Sequence, residues 1–218
     1  MLKGLMAWLG LARDLAWFDR RMVLEDQGIA PIPEGAPLKV SEQRYTVAAP
    51  LQEVFDAYLH AQPDEAWPIE WIRFHFALLP GSRQRLDADR YPGALPVGSR
   101  VFVELKCRPL HRWLCLMVGI EVTRIDPGRE IRYEYLEGSV TMGHNSMFFE
   151  AAEDASGRPY TRIHHASEYL GTSSLLRLVM PFFQPMLHVG FVDALHHGMK
   201  ARIEAATNHA EKRMPPRP

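Results

Sequence analysis

Ten histidines are the side chains of this 218-residue chain best placed to move protons near neutral pH, and seven tyrosines add hydroxyl donors. Five of the histidines in the second half, His144, His164, His165, His188 and His197, fall near the segments expected to wall a site. Along Thr161 to Tyr169, a period of two puts His165 on one face with Ile163, Ser167 and Tyr169, and His164 on the other with Arg162 and Glu168. The apolar company turns His165 inward. A neutral imidazole there can act as general base, and Tyr133 or Tyr135 can donate to a developing oxyanion, so these three are the catalytic candidates. The competing reading is a core histidine bonded to a neighbour, with no catalytic part. No spacing of serine, histidine and aspartate marks a nucleophilic triad.

Other chemistries have weaker support. Asp193 and His197 stand four apart on a helical segment and can present two ligands to one ion, but spacing fixes no third, and no metal or cofactor is expected. Cys107 and Cys115 flank Pro109 to Trp113. A hairpin centred on His111 would set them directly opposite each other, although two small core hydrophobes is the simpler reading. Twenty-five basic against 26 acidic side chains leave a formal charge of −1. Arg100, Arg108, Arg112, Arg124, Arg129 and Arg132 alternate with acids, so nucleic-acid binding is not expected. Hydrophobic residues at 47% and charged residues at 23% exclude disorder for the bulk of the chain.

The elements that must position these groups follow from periodicity. Residues 1–27 read as an amphipathic helix, with Leu2, Leu5, Met6 and Leu9 on one face and Arg13, Arg20 and Arg21 near its end. Its apolar run is too short to span a bilayer, so it docks on its own domain or a partner, or lies peripherally on a membrane surface. Residues 28–37 hold three prolines and two glycines and read as a linker. From Leu38 to Val47 a loose alternation predicts a strand; Pro50 then opens a helix carrying Leu51, Val54, Phe55, Tyr58 and Leu59. Residues 62–98 read as an irregular excursion holding one short helix or strand. Successive alternating segments from Val101 to Tyr169, with turns at Asp126-Pro127-Gly128 and Asp154-Ala155-Ser156-Gly157, predict an antiparallel meander. A long terminal helix follows, with Pro181 and Pro185 near its start and Leu187, Phe191, Leu195 and Met199 in an i, i+4 row. Residues 207–218 read as a polar tail.

That order, with Tyr45-Thr46-Val47-Ala48-Ala49-Pro50-Leu51-Gln52-Glu53-Val54-Phe55, resembles the START-like superfamily (the SRPBCC or Bet v 1-like group) over residues 38–206. Pro96-Val97-Gly98-Ser99-Arg100 is similar to the Val-Gly-x-Arg that begins a strand there. The resemblance implies an α+β helix-grip fold: a curved antiparallel sheet wrapped round the last helix, with a hydrophobic cavity between. If Val103, Leu105 and Cys107 face that cavity, Met117, Tyr133, Tyr135, Met147, Phe149 and His165 share it, with Leu187, Phe191 and Leu195 from the helix. The expected function is binding, or binding and carriage, of a hydrophobic small molecule such as a lipid, polyketide, quinone or aromatic compound. A cyclase- or aromatase-like enzyme is the alternative, and a membrane- or partner-docked interaction protein the third. The expected location is the cytoplasm, with peripheral membrane contact through residues 1–21 if the first helix serves that end.

Overall fold

A computed structural model describes residues 27–66, 72–106, 115–139, 141–172, 177–178 and 188–213. The expected helix before residue 27 lies outside these residues, as do Pro181, Pro185 and Leu187. Eight strands form one antiparallel sheet: β1 Lys39–Val47, β2 Ile72–Leu78, β3 Arg85–Leu86, β4 Arg100–Lys106, β5 Cys115–Asp126, β6 Glu130–Tyr135, β7 Thr141–Glu153 and β8 Pro159–Gly171. The spatial order is β1-β8-β7-β6-β5-β4-β2-β3. Among the described residues three α-helices accompany them: α1 Leu51–Leu59, α2 Pro63–Ala66 and α3 Gly190–Arg213. The sheet curves around α3, which also packs on α1, α2 and β1, an α+β helix-grip architecture.

Helix α1 begins where Pro50 fixes the backbone and buries Val54, Phe55 and Tyr58, one stripe at helical spacing. Two long-range hydrogen bonds seat its start. The Thr161 hydroxyl donates to the Ala49 carbonyl at 2.9 Å, and the Ala48 amide donates to Glu204 Oε1 at 2.8 Å. On α3, Val192, His196, Met199 and Ile203 form the buried row. Phe55, Phe149, Ile163 and Met199 share one core cluster, and Ile72, Val101, Val118 and Val122 another.

The structure adds detail at four places. The excursion supplies two paired strands, because Ile72, Ala77 and Leu78 bury their side chains once β2 pairs with β4. The linker is docked: Ala30 donates its amide to the Tyr135 carbonyl and Glu137 to that of Gly28, and Ala30 is buried with Met142 and Leu170. Helix α3 continues past Ala206 to Arg213, seven residues into the expected tail. The β4–β5 register pairs Lys106 with Cys115 and Glu104 with Met117. The register is therefore one residue off that of a hairpin centred on His111, which would pair Lys106 with Leu116; Cys107 lies outside the described residues. A slip of one exchanges the faces of a strand. The inward positions of β5 are Val118, Ile120 and Val122.

Candidate functional site

Between the sheet and α3 lies a cavity of about 190 Å³. Its walls are mainly aliphatic: Ile72, Val101, Val103, Val118, Ile120 and Val122 from the β2–β5 half, Ile131 and Met147 from β6 and β7, and Phe191 and Leu195 from α3. Strand pairing accounts for the polar inserts. Tyr133 stands opposite Asn145, Asn145 opposite Ser167, and Met147 opposite His165, so one inward row crosses three strands. Tyr58, Tyr91, Tyr135 and Tyr169 complete an aromatic rim.

Of the residues expected to line this space, Val103, Tyr133, Tyr135, Met147, His165, Phe191 and Leu195 do so. Phe149 does not. It lies two residues further along β7, where α1 covers the sheet, and packs edge-on against Phe55 and Tyr58 at ring separations of 5.2 and 5.4 Å. Leu187 and the side chains of Leu105 and Met117 lie outside what the structure describes.

The polar groups form a connected chain. Tyr58 Oη and His196 Nδ1 are 2.7 Å apart, and His196 Nε2 and His165 Nδ1 are 2.9 Å apart. His196 is 1% exposed and His165 4%. The remaining ring nitrogen, His165 Nε2, is buried at the cavity wall with no hydrogen-bond partner among the described residues. Asn145 Oδ1, also at the wall, is unpartnered in the same sense. Buried polar atoms are nearly always bonded, so two orphans facing one cavity mark a place for a ligand's or water's polar group. Tyr45 stacks on His196 at 4.1 Å and donates to Asp193 Oδ1 at 2.5 Å, fixing the middle ring from the β1 side. His188 Nε2 shares a 2.8 Å hydrogen bond with Ser167 Oγ.

Burial decides the charge states. It pulls the His196 imidazolium down to about pH 3, helped by the neighbouring His197, and that of His188 to about 4. His165 is held well below its ordinary value by burial first, then by repulsion from His196, His188 and His164. Burial likewise raises the Tyr58 and Tyr133 hydroxyls far above the usual phenol value and pushes Tyr91 up to about 12. The site therefore holds neutral imidazoles and neutral phenols. Each neutral ring has one donor and one acceptor nitrogen, so the chain can point either way: Tyr58 to His196 to His165, or the reverse.

Tyr58, His196 and Asn145 were not among the sequence candidates, and His188 was singled out among the histidines without an assigned role. His196 carried a signal: it interrupts the apolar row of Val192, Met199 and Ile203, where a polar residue must find a buried partner. Tyr58 read as core because it shares the α1 stripe with Val54 and Phe55. Asp193 accepts from Tyr45, and among the described residues no three His, Cys, Asp or Glu side chains gather about one point. No helix of the described residues is long and apolar enough to cross a membrane.

No family model and no curated protein sequence matches the chain. Solved structures do. The Zhui aromatase/cyclase of Streptomyces sp. R1128 superposes with a TM-score of 0.52 at 13% identity, covering 78% of this chain and 98% of that one. Norcoclaurine synthase of Thalictrum flavum, a point mutant with a transition-state analogue, gives 0.50 at 12% identity over 78% and 96%. KanY gives 0.51 at 10% identity over 78% and 99%. Identities this low speak for the fold rather than the activity. Strand order, the gripped terminal helix and these neighbours together give the chain a helix-grip fold.

Proposed function

We propose that this protein binds a hydrophobic small molecule carrying at least one hydrogen-bonding group in the cavity between the sheet and α3. The observation that carries the reading is the aliphatic and aromatic wall interrupted by two orphaned polar atoms, His165 Nε2 and Asn145 Oδ1. Apolar walls supply affinity through surface removed from water, at roughly 25 cal/mol per Å². The two polar atoms set orientation: Asn145 Oδ1 accepts, and His165 Nε2 accepts or donates according to its tautomer. A purely aliphatic guest would leave both unpaired, at a cost of roughly 1–3 kcal/mol each. Polyketides, quinones, oxygenated aromatics and lipids with a polar end that enters the cavity meet these demands.

The test is extraction of the purified, denatured protein with organic solvent, followed by mass spectrometry. One oxygenated apolar species near stoichiometric amount supports the reading. A protein that comes out empty and shows no uptake of a panel of such compounds in cavity-methyl NMR overturns it.

A second reading, an enzyme in which His165 moves protons, draws on the linkage of that ring to His196 and Tyr58. Two superposable structures are named as an aromatase/cyclase and a synthase, which makes the fold compatible with such chemistry.

A further inference from the structure

The Tyr58–His196–His165 chain has its two ends at the same cavity wall and its middle outside it. Tyr58 and His165 line the cavity, whereas His196 lies behind them. Both hydrogen bonds are short enough for proton transfer, at 2.7 and 2.9 Å, and the outward nitrogen of His165 is unpartnered among the described residues. We propose that these three residues form a charge-neutral proton relay that enolises a carbonyl compound bound in the cavity, with His165 as base, Tyr58 as acid and His196 as the link. The proposal rests on the binding reading above and adds the substrate class: an apolar ketone or related carbonyl with an acidic C–H next to it.

The step balances without any co-reactant. In the starting polarity, His165 Nδ1–H donates to His196 Nε2, His196 Nδ1–H donates to Tyr58 Oη, and the Tyr58 hydroxyl hydrogen faces the cavity. His165 Nε2 takes the proton from the α-carbon, the C–H electron pair becomes the C=C bond, and the carbonyl π pair takes a proton from Tyr58. His165 passes its Nδ1 proton to His196, and His196 passes its own to Tyr58. Each residue loses one proton and gains one, so the chain ends neutral with its polarity reversed. Returning a proton from His165 Nε2 to carbon, while the enol O–H gives its proton back to Tyr58 and the two chain protons shift back through His196, resets it. If that carbon is the γ position of a β,γ-unsaturated ketone, one full cycle moves the double bond into conjugation.

Neutrality gives the relay its advantage over a lone histidine. Burial makes an imidazolium at His165 or His196 costly, and a phenolate at Tyr58 equally so. A single base taking a proton here would create charge where none is solvated, whereas a concerted shift creates none. Tyr45, stacked on His196 and tied to Asp193, keeps the linking ring aligned with both partners.

The probe is 3-cyclohexen-1-one, whose conversion to 2-cyclohexen-1-one is followed by absorbance, with its binding followed by methyl NMR of the cavity valines and isoleucines. Wild-type protein is expected to accelerate the conversion in proportion to its concentration. Tyr58→Phe keeps the ring and removes the acid, so the rate should fall by about 100-fold or more while probe affinity holds within about threefold. A readout independent of turnover accompanies it. With no hydroxyl to accept from His196 Nδ1–H, that nitrogen is best left as a bare acceptor, which sends its proton to Nε2 and fixes His165 as the Nε2–H tautomer. Side-chain 15N spectra of His165, a ring Tyr58 is not bonded to, should shift accordingly. Binding without acceleration, or a His165 spectrum indifferent to Tyr58→Phe, overturns the relay and leaves the binding reading standing. Absence of binding overturns both.

Discussion

Lowering the pH from 7.5 to 5 should destabilise the fold by several kcal/mol, because three buried histidines must stay neutral while their unfolded counterparts take up protons. The perturbation acts on His165, His188 and His196, all depressed by burial below the ordinary histidine value of 6.5. Between the folded and unfolded pKa values the unfolded chain binds more protons, so stability falls as pH falls through 6.5 toward the folded values near 3 and 4. At pH 7.5 the unfolded imidazoles are nearly all neutral and the contribution is close to nil. At pH 5 each lies about 1.5 pH units below its unfolded pKa, worth roughly 2 kcal/mol at 1.36 kcal/mol per unit. Three such groups give about 6 kcal/mol, comparable with the 5–15 kcal/mol total typical of a domain. Urea titrations at the two pH values should show the midpoint falling by about 2–3 M, for a slope of 2–3 kcal/mol/M. The window stays above the acid range in which Asp154, held low by the Ser156 hydroxyl and the Arg158 amide, begins to contribute. His196→Gln should lower the proton uptake on unfolding at pH 5 by one. A midpoint shift below about 0.5 M, or a protein more stable at pH 5, would refute the claim that these rings are buried and neutral.

Three further outcomes separate the cavity from its surroundings. Gly143 has φ +125°, and a Cβ there would be driven into the Glu168 carbonyl oxygen; Gly143→Ala should cost more than about 3 kcal/mol in urea denaturation, and a loss under 1 kcal/mol would contradict the backbone described. Phe149→Ala should cost about 3–5 kcal/mol by calorimetry yet leave the load of co-purified small molecule unchanged, since the ring packs on Phe55 and Tyr58. Val118→Phe places a ring in the cavity and should empty the solvent extract, while stability changes by less than about 1 kcal/mol because the added atoms enter open space.

Much of the architecture was legible because local signals agreed with one another. Pro50 followed by Leu51, Val54, Phe55 and Tyr58 is a helix start and its buried stripe, and α1 occupies that span. The alternation through Ile163, His165, Ser167 and Tyr169 placed His165 inward correctly. What failed was information that no local pattern holds. A hairpin centre misplaced by half a residue hid Val118, Ile120 and Val122 as inward positions of β5. Strand β2 was obscured by the prolines around it, because its pairing with β4 is tertiary. Phe149 follows the same alternation as Met147, and only the position of α1 makes one core and the other cavity wall. The relay joins α1, β8 and α3 across separations of 138 and 31 residues, and no spacing rule links such positions.

The pairing of β1 with β8 also sets a timetable. Val47 meets Thr161, so the first strand of the sheet waits for the last, about 110 residues further along the chain. A ribosome adding about 5–20 residues per second needs roughly 5–20 s to cover that distance. During that interval the β2–β7 segment can already pair neighbour to neighbour, whereas β1 has no partner strand to receive its amides. The polar outward residues of β1, among them Glu42 and Arg44, suit a strand that must stay soluble while it waits. Helix α3 emerges later still and brings His196 between Tyr58 and His165. The pocket's chemistry thus depends on a helix made only after every strand that encloses it.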